Sequence, residues 1–463
     1  MFGDEILKFH RAKSSSINRR TRLFLKFKGQ IMDDEIFDVV VVGGGVAGLI
    51  SAYELAKKGY GVVLLERGSE AGSKNLSGGV FYSRIMEEIF PDFLNEAPIE
   101  RKIMRNVVSF LNEGSAVNLE YQDERLLKKV NAVSVLRAKF YAWLASKCEE
   151  AGVMMMPGLK VDSLLKEGDT YVGVKAGDDE LKARITILAD GVNSFLAQAE
   201  GIRPKQPPKF LAVGVKSVIA LSKKTIEDRF RVRNDEGVAY AVVGECTKGI
   251  AGGGFLYTNK DSISIGVVMQ LQSLSESGLS SSEVHDKFLS HPAIAPLIEG
   301  GELLEYGCHL TIEDGPQMVL QQEISRAGLL IVGDAAGFSL NTGLTLRGMD
   351  LAAGSALAAV RAADSALKAN DFSAKSLGKY RNEFDNDWIG KDMKTYESAP
   401  KFFTNPRLYG DYGKLIADIF YRIFNLDLSP RKHLRSVMID AFKASSIKFS
   451  DLVRDLFGAF KSL

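Results

Sequence analysis

The sequence predicts an α/β fold in which a parallel sheet flanked by helices is joined to a mostly antiparallel α+β domain and a helical C-terminal region. Three observations carry this reading. A β-branched run, a glycine-rich turn and an amphipathic stretch follow one another between residues 37 and 66. A second run of buried-strand character at 328–332 leads into a helix-forming segment at 348–369. Between them, four strand-like runs occupy 211–221, 238–244, 254–257 and 262–271. With 463 residues the chain can form two or three domains around a large core.

Taken in order, Val39 to Val42 is an uninterrupted β-branched run, the pattern of a strand covered on both faces. Residues 46–58 follow as an amphipathic helix that stops at Gly59, and 62–65 form a second strand ending on Glu66. Together they make one βαβ unit. A helix over 136–151 buries Leu136, Phe140, Leu144 and Cys148 at helical spacing and ends at Gly152. Short strands with turns at 166–169 and 176–179 lead to an apolar strand at 184–188. Pro204, Pro207 and Pro208 mark a boundary. The expected organisation is a basic extension at 1–32, a sheet domain whose first part is 33–205, a substrate domain at 206–307, a return segment at 308–380 and helices over 381–463. In these last helices, Leu415, Ile416, Ile419, Phe420, Ile423, Phe424, Phe449, Leu452, Val453, Leu456, Phe457 and Phe460 form apolar stripes. Such stripes read first as core, and otherwise as a surface docking a membrane or a protein partner.

Bulk charge excludes little except a nucleic-acid partner: 59 Lys and Arg balance 58 Asp and Glu. Cys148, Cys246 and Cys308 are scattered, so they suit a reducing compartment and cannot alone ligate a four-cysteine cluster. Each reads as a small buried apolar residue. The longest apolar run, 36–53, contains Asp38 and three consecutive glycines, which argues against a membrane span. Residues 1–32 hold eight Lys and Arg against Asp4 and Glu5. They read as an organelle-targeting peptide, a basic arm, or sequence upstream of a start at Met32. His10, His285, His291, His309 and His433 are dispersed and read as structural or exposed, and no nucleophile–base set emerges.

Gly43-x-Gly45-x-x-Gly48 lies between the first strand and its helix. The first glycine permits the tight turn, the second lets backbone approach a pyrophosphate, and the third lets helix and strand pack closely. The helix N-terminus offers N–H groups and a positive dipole end. Glu66, at the end of the second strand, is placed for a ribose hydroxyl. This is a Rossmann-type dinucleotide site, and Ala47 and Arg67 belong to the same candidate set.

Later segments resemble the glutathione-reductase-type flavoproteins. These are the apolar strand ending in Asp190-Gly191, and Leu329-Leu-Ile-Val-Gly333-Asp334-Ala-Ala-Gly337 followed by Gly343, Arg347-Gly348 and a helix. The resemblance implies FAD. Asp334, with Gly333, would hold the ribityl chain, Gly343, Leu344 and Thr345 would approach the flavin ring, and Arg137 would lie near the phosphates. A positive helix end at the ring favours the anionic reduced flavin. Asp190 also reads as a plain turn residue.

Two more segments are similar to the FixC-type, electron-transfer-flavoprotein:quinone oxidoreductase family. One runs from Gly72 through Ser77, Gly78 and Gly79; the other is Cys246-Thr-Lys-Gly-Ile-Ala-Gly252-Gly253-Gly254-Phe-Leu-Tyr257. The similarity extends from Phe37 to the C-terminus, including Pro430-Arg431-Lys432. It implies an enzyme that relays electrons from a two-subunit electron-transfer flavoprotein, through FAD, to quinone at a membrane surface. Ser77, Gly78 and Gly79 would then contact FAD, while Gly252, Gly253, Gly254 and Tyr257 would border the quinone. The same glycines read otherwise as a bulge or turn between strands. Relatives with a fused four-cysteine domain differ from this chain, so the iron–sulfur centre would sit on a separate small ferredoxin-like protein. The expected location is cytoplasmic, peripheral on the inner membrane face. Competing readings keep the fold but change the reaction, to an isoprenoid (geranylgeranyl) reductase or aromatic hydroxylase, or make the chain a flavin-binding escort. Trp143 and Trp388 are the only tryptophans, and neither lies in a Pro-x-x-Tyr-x-Trp-x-Phe-Pro context.

Overall fold

The structure is a computed structural model that describes residues 36–73, 78–343 and 345–463. The expectations for residues 1–32, Ser77 and Leu344 therefore lie outside the described residues. The first sheet runs in the order Ser325–Arg326, Leu329–Ile331, Asp179–Leu188, Ile36–Val42, Val62–Glu66, Met154–Pro157. From Leu329–Ile331 onward every pairing along it is parallel. Its centre is fully enclosed, with Val39, Val40, Val41, Ile185 and Ile187 all at 0% exposure, as a sheet covered on both faces requires. Helix Val46–Lys57 covers one face and packs on the long alanine-rich helix Met349–Ala369. Both elements that predicted this domain, at 39–66 and 328–369, are present.

The second sheet has nine strands and is larger than the run of 206–307 suggests. Its path is Glu302–Ile312, Leu211–Ala220, Ser262–Gln270, Gly252–Thr258, Glu236–Gly244, Ile99–Asn112, Ala132–Val135, Gly79–Tyr82, with Ser115–Gln122 paired to Ile99–Asn112. Four of these strands come from 79–135, so the segment 33–205 does not fold on the parallel sheet alone. The reason is visible in the sequence only afterwards. Positions 105–112 alternate between buried and more exposed, and Val117 to Glu120 alternates apolar and polar side chains, which suits a sheet with one solvated face.

The two faces of this sheet differ. Val215, Val242, Leu256, Ile263, Ile265 and Val267 point to one side and pack with Ile226, Phe230, Val284 and Phe288 of overlying helices. The register places Lys216, Gly266 and Phe255 side by side on the opposite face, next to the row His309, Gly214, Val268 and Gly253. That second face is poor in aliphatic side chains and fronts the first sheet domain.

The C-terminal stripes are not core. Helices Asp411–Phe424, Leu434–Ala444 and Phe449–Ser462 leave Phe424 76%, Phe457 72% and Phe460 86% exposed, together with Tyr421, Leu426, Leu428, Met438 and Phe449. The last helix is instead clamped by one buried pair. Arg407 Nε and Nη2 donate to the Asp455 carboxylate at 2.6 and 2.8 Å, and Tyr412 donates to it at 2.6 Å. These bonds hold the Asp455 carboxyl well below the usual carboxylate range.

Asp455→Asn should therefore speed amide exchange across 449–462 by about 100-fold, the equivalent of roughly 3 kcal/mol for breaking a buried pair. The wild-type contribution is fully present above the unfolded carboxyl's pKa of about 4, and it is lost as pH falls below that toward the depressed folded value. Exchange mass spectrometry at pH 7 on both proteins checks the first statement.

Candidate functional site

The glycine turn after Ile36–Val42 has the geometry a dinucleotide needs. Gly43 adopts φ +110°, and a Cβ there would sit 2.3 Å from Ala189 O. A Cβ on Gly48 would lie 1.9 Å from Gly43 O, so this glycine is fixed by helix–turn packing. Gly45 is different: its backbone is extended and nothing lies within 4 Å of its Cβ position. The helix it starts has no side-chain cap and no acid in its first turn. Its first N–H groups therefore face an open space as an anion site.

At the end of Val62–Glu66, one Glu66 oxygen accepts from Gly44 N–H at 2.8 Å and the other from Gly68 N–H. The carboxylate is thus aimed by backbone before any ribose arrives. Arg67 beside it is exposed. Ala47 packs against the second glycine turn, where a Cβ on Gly333 would come within 2.8 Å of its own Cβ. Gly45→Ala should consequently leave the apo fold intact but lower FAD affinity at least about tenfold through overpacking, whereas Gly48→Ala should not fold. Circular dichroism and flavin titration distinguish the two.

The late acid lies where the sequence predicts. Asp334 follows Leu329–Ile331 in the turn Gly333–Ala335, next to helix Met349–Ala369. Burial pushes its carboxyl up, and Arg137 and Arg203 pull it back. Arg137 opens helix Arg137–Glu150, and its Nε is buried with no hydrogen-bond partner. A buried guanidinium left unsatisfied beside an uncapped helix N-terminus is what a phosphate would complete. Arg203, absent from the sequence-based set, is only 2% exposed and donates to the backbone oxygens of Asp334 and Ala335 at 3.4 and 3.1 Å. It props the turn from behind. No sequence signal singled it out, because a lone arginine just before a proline-rich boundary looks solvated.

Asp190 has a local job. Its carboxylate accepts from Ser194 Oγ at 3.0 Å and Leu196 N–H at 3.5 Å, while Gly191 takes φ +80°. This matches the turn reading and leaves its carboxylate engaged within its own loop. Gly343 takes φ +79°, and its Cβ position lies 2.7 Å from the Phe403 ring. Thr345 and Thr342 close the same loop by a hydroxyl pair at 2.7 Å. Gly78, at φ +80°, passes so close to Ser264 that a Cβ would sit 2.0 Å from its Oγ. Gly79 then begins the strand that joins the second sheet.

Of the three consecutive glycines, only Gly253 lies on the sheet face that fronts the flavin residues. Gly252 and Gly254 lie on the apolar face, where Cβ atoms would meet Val268 O at 2.0 Å and the Phe288 ring at 2.9 Å. A Cβ on Gly253 would meet Val242 O at 2.8 Å. Sheet packing crowds all three, and they lie within the regular strand Gly252–Thr258 rather than in a bulge or turn between strands. Tyr257 does lie on the fronting face, stacked on Phe255 at 5.0 Å, and burial raises its hydroxyl pKa. Lys216 and His309, also missed by sequence reasoning, complete that face. Glu313, one residue beyond the edge strand, is pushed up to about 7 by burial and then by Asp314. Cys148 and Cys246 are buried as expected, but Cys308 is exposed. No cluster of metal-ligating side chains occurs among the described residues.

Comparison with known proteins agrees with this geometry. Residues 38–122 match the family "FAD dependent oxidoreductase", 212–311 match "ETF-QO, ubiquinone-binding", and 399–463 match the "ETF-QO/FixC family C-terminal domain". The "Probable electron transfer flavoprotein-quinone oxidoreductase YdiS" of Escherichia coli is 43% identical over 92% of this chain and 98% of its own length. "Protein FixC" of Salmonella typhi is 41% identical over the same shares. A geranylgeranyl bacteriochlorophyll reductase-like protein from Thermoplasma acidophilum superimposes with a TM-score of 0.69, covering 92% of this chain and 99% of that one. At 21% identity, that likeness concerns the fold.

Proposed function

The chain belongs to the ETF-QO/FixC family of FAD-dependent oxidoreductases, and from that premise we propose that it relays electrons from an electron-transfer flavoprotein, through FAD, to a quinone. One observation supports the acceptor most directly. The strands within the ubiquinone-binding match, 212–311, are those whose polar face, with Lys216, Phe255, Tyr257 and His309, fronts the flavin residues.

Bound FAD supplies reversible two-electron chemistry. The residues that would hold it are Gly45 and the free N–H groups of helix Val46–Lys57 with Arg137 at the phosphates, Glu66 at the ribose and Asp334 at the ribityl chain. The loop at Gly343 and Thr345 would border the ring. Arg203 fixes the Asp334 turn, and the second sheet shields the site from water on its far side. Nothing in this arrangement requires a nucleophile or a resident metal to move electrons.

The partners follow from the same reading. A two-subunit electron-transfer flavoprotein is the donor. An iron–sulfur centre, where the relay uses one, is carried by a separate ferredoxin-like protein, consistent with three dispersed cysteines. Among the described residues no helix is long and apolar enough to cross a membrane. The exposed aromatic face of the C-terminal helices is the surface by which the enzyme would rest on a bilayer, on its cytoplasmic side.

The test is anaerobic stopped flow on the FAD-loaded protein, mixed in turn with reduced electron-transfer flavoprotein and with NADH, then with a short-tailed ubiquinone. Fast flavin bleaching by the flavoprotein but not by NADH, followed by reoxidation with quinone, is the expected result. Bleaching by NADH alone would turn the assignment toward an NAD(P)H-driven reductase or hydroxylase.

A further inference from the structure

Lys216 lies half-buried on the fronting face of the second sheet, and among the described residues no carboxylate pairs with it. Its Nζ lies 5.6 Å from the centre of the Phe255 ring, and room for that ring comes from Gly266, where a Cβ would sit 2.7 Å from Phe255 Cζ. His309 stands on the neighbouring strand opposite Gly214, its Cε1 3.7 Å from that glycine's Cβ position. His309 Nδ1 is buried and unpartnered. Charged and titratable groups approach from two sides, His309 from the edge strand and Arg137 from the opposing domain, while Tyr257 stacks on Phe255. Burial and then Arg137 hold Lys216 well below its ordinary range. Burial, then Lys216 and Arg137, hold His309 down at about 3. Among the described residues no acid pairs with either base, so both are held toward the neutral form until a partner charge arrives. Their arrangement suits a ligand oxygen that gains negative charge.

We propose that Lys216, backed by His309, is the proton-delivering end of the electron-acceptor pocket. The assignment rests on the quinone reading above and names the group that finishes its chemistry. Converting a quinone to the quinol takes two electrons and two protons and forms two O–H bonds. Bound FAD, in its anionic reduced form, would supply both electrons and one of the protons. As negative charge builds on the quinone oxygen it favours the ammonium form of Lys216, and the second proton comes from that ammonium, whose N–H bond breaks as the O–H bond forms and leaves the amine. The resulting amine is reprotonated through the neutral imidazole of His309, which lies on the edge strand and is itself partly exposed. Phe255 and Tyr257 give the flat face on which the quinone ring rests.

The experiment uses the full chain loaded with FAD and reduced anaerobically with dithionite. Reoxidation is followed at the flavin band with a short-tailed ubiquinone, which needs protons, and with ferricenium, which does not. Lys216→Met should slow the quinone reaction by about 100-fold, while ferricenium reoxidation changes by less than about threefold. Lys216→Arg should restore at least a tenth of the quinone rate. A hydroxyquinoline N-oxide, read by its perturbation of the oxidised flavin band, should bind about tenfold more weakly to Lys216→Met. Should that variant fail to retain FAD, His309→Gln is the second test. It should slow the quinone reaction and displace its pH profile with the ferricenium rate unchanged.

Equal slowing with both acceptors, or a variant that binds the N-oxide and reduces quinone as the wild type does, overturns the assignment to Lys216. A wild-type protein that ferricenium reoxidises and quinone does not overturns the acceptor reading itself. The two failures are therefore distinguishable.

Discussion

An Arg137→Met protein should bind FAD about 100-fold more weakly than the wild type, while its apo form melts no lower. The two halves of this result come from one observation. Arg137 Nε is buried without a hydrogen-bond partner, and the guanidinium raises the cost of charging Lys216 and His309. In the apo protein, then, the arginine's pull on Asp334 is set against the cost it adds to charging Lys216 and His309, so removing it costs the fold little electrostatically. In the loaded protein it would complete two or more charge-assisted bonds to a phosphate, worth about 2–3 kcal/mol. The wild type should accordingly show a large FAD-dependent rise in melting temperature, and the variant a small one, because only a bound ligand transmits its affinity to stability. Equilibrium dialysis of FAD and paired melting curves measure both. An apo variant destabilised as much as the loaded one would make Arg137 a structural residue.

Arg137 also shows how far the sequence reaches toward the site. Residues whose role is fixed by backbone geometry were readable: Gly43 and Gly48 because strand, turn and helix leave no space for a Cβ, and Glu66 because it ends a strand at a set distance along the chain. Asp334 was readable for the same reason, at the end of the returning strand. Residues whose role comes from a face of the second sheet were not. Lys216 sits in Leu211–Ala220 as one lysine among aliphatic residues, which in a one-sided sheet reads as solvent-facing. That its face meets another domain follows only from the pairing of nine strands, four of them contributed by residues 79–135. The three glycines at 252–254 mislead in the opposite direction. A glycine run near a site suggests ligand contact, yet here the crowding comes from Val268 O, Val242 O and Phe288. Local sequence records that a Cβ is excluded, and not which atoms exclude it.

The largest effect away from the flavin is expected at the C-terminal helices. Replacing Phe424, Phe457 and Phe460 with Asp should abolish binding to liposomes that carry anionic lipid, while leaving FAD content unchanged. These three rings are among the most exposed large apolar side chains in the structure. Transferring a Phe side chain out of water is worth about 1.5–3 kcal/mol, so three together command an affinity change of about 1,000-fold or more. Residues 411–463 also hold nine Lys and Arg against six Asp and Glu, a balance that favours an anionic surface and predicts weaker binding at high salt. The face is not a detached appendage. Phe403, at the head of this region, lies over Gly343 of the flavin loop, and Tyr409 donates to Phe403 O at 2.6 Å. A bilayer under the helices would thus lie one packing layer from the acceptor pocket, on the side from which a lipid-soluble quinone must come. Flotation of both proteins with vesicles, at low and high salt, decides it. A triple variant that still floats would place the membrane contact elsewhere. Wild-type protein that binds no vesicle but pairs with a ferredoxin would reassign the face to that partner.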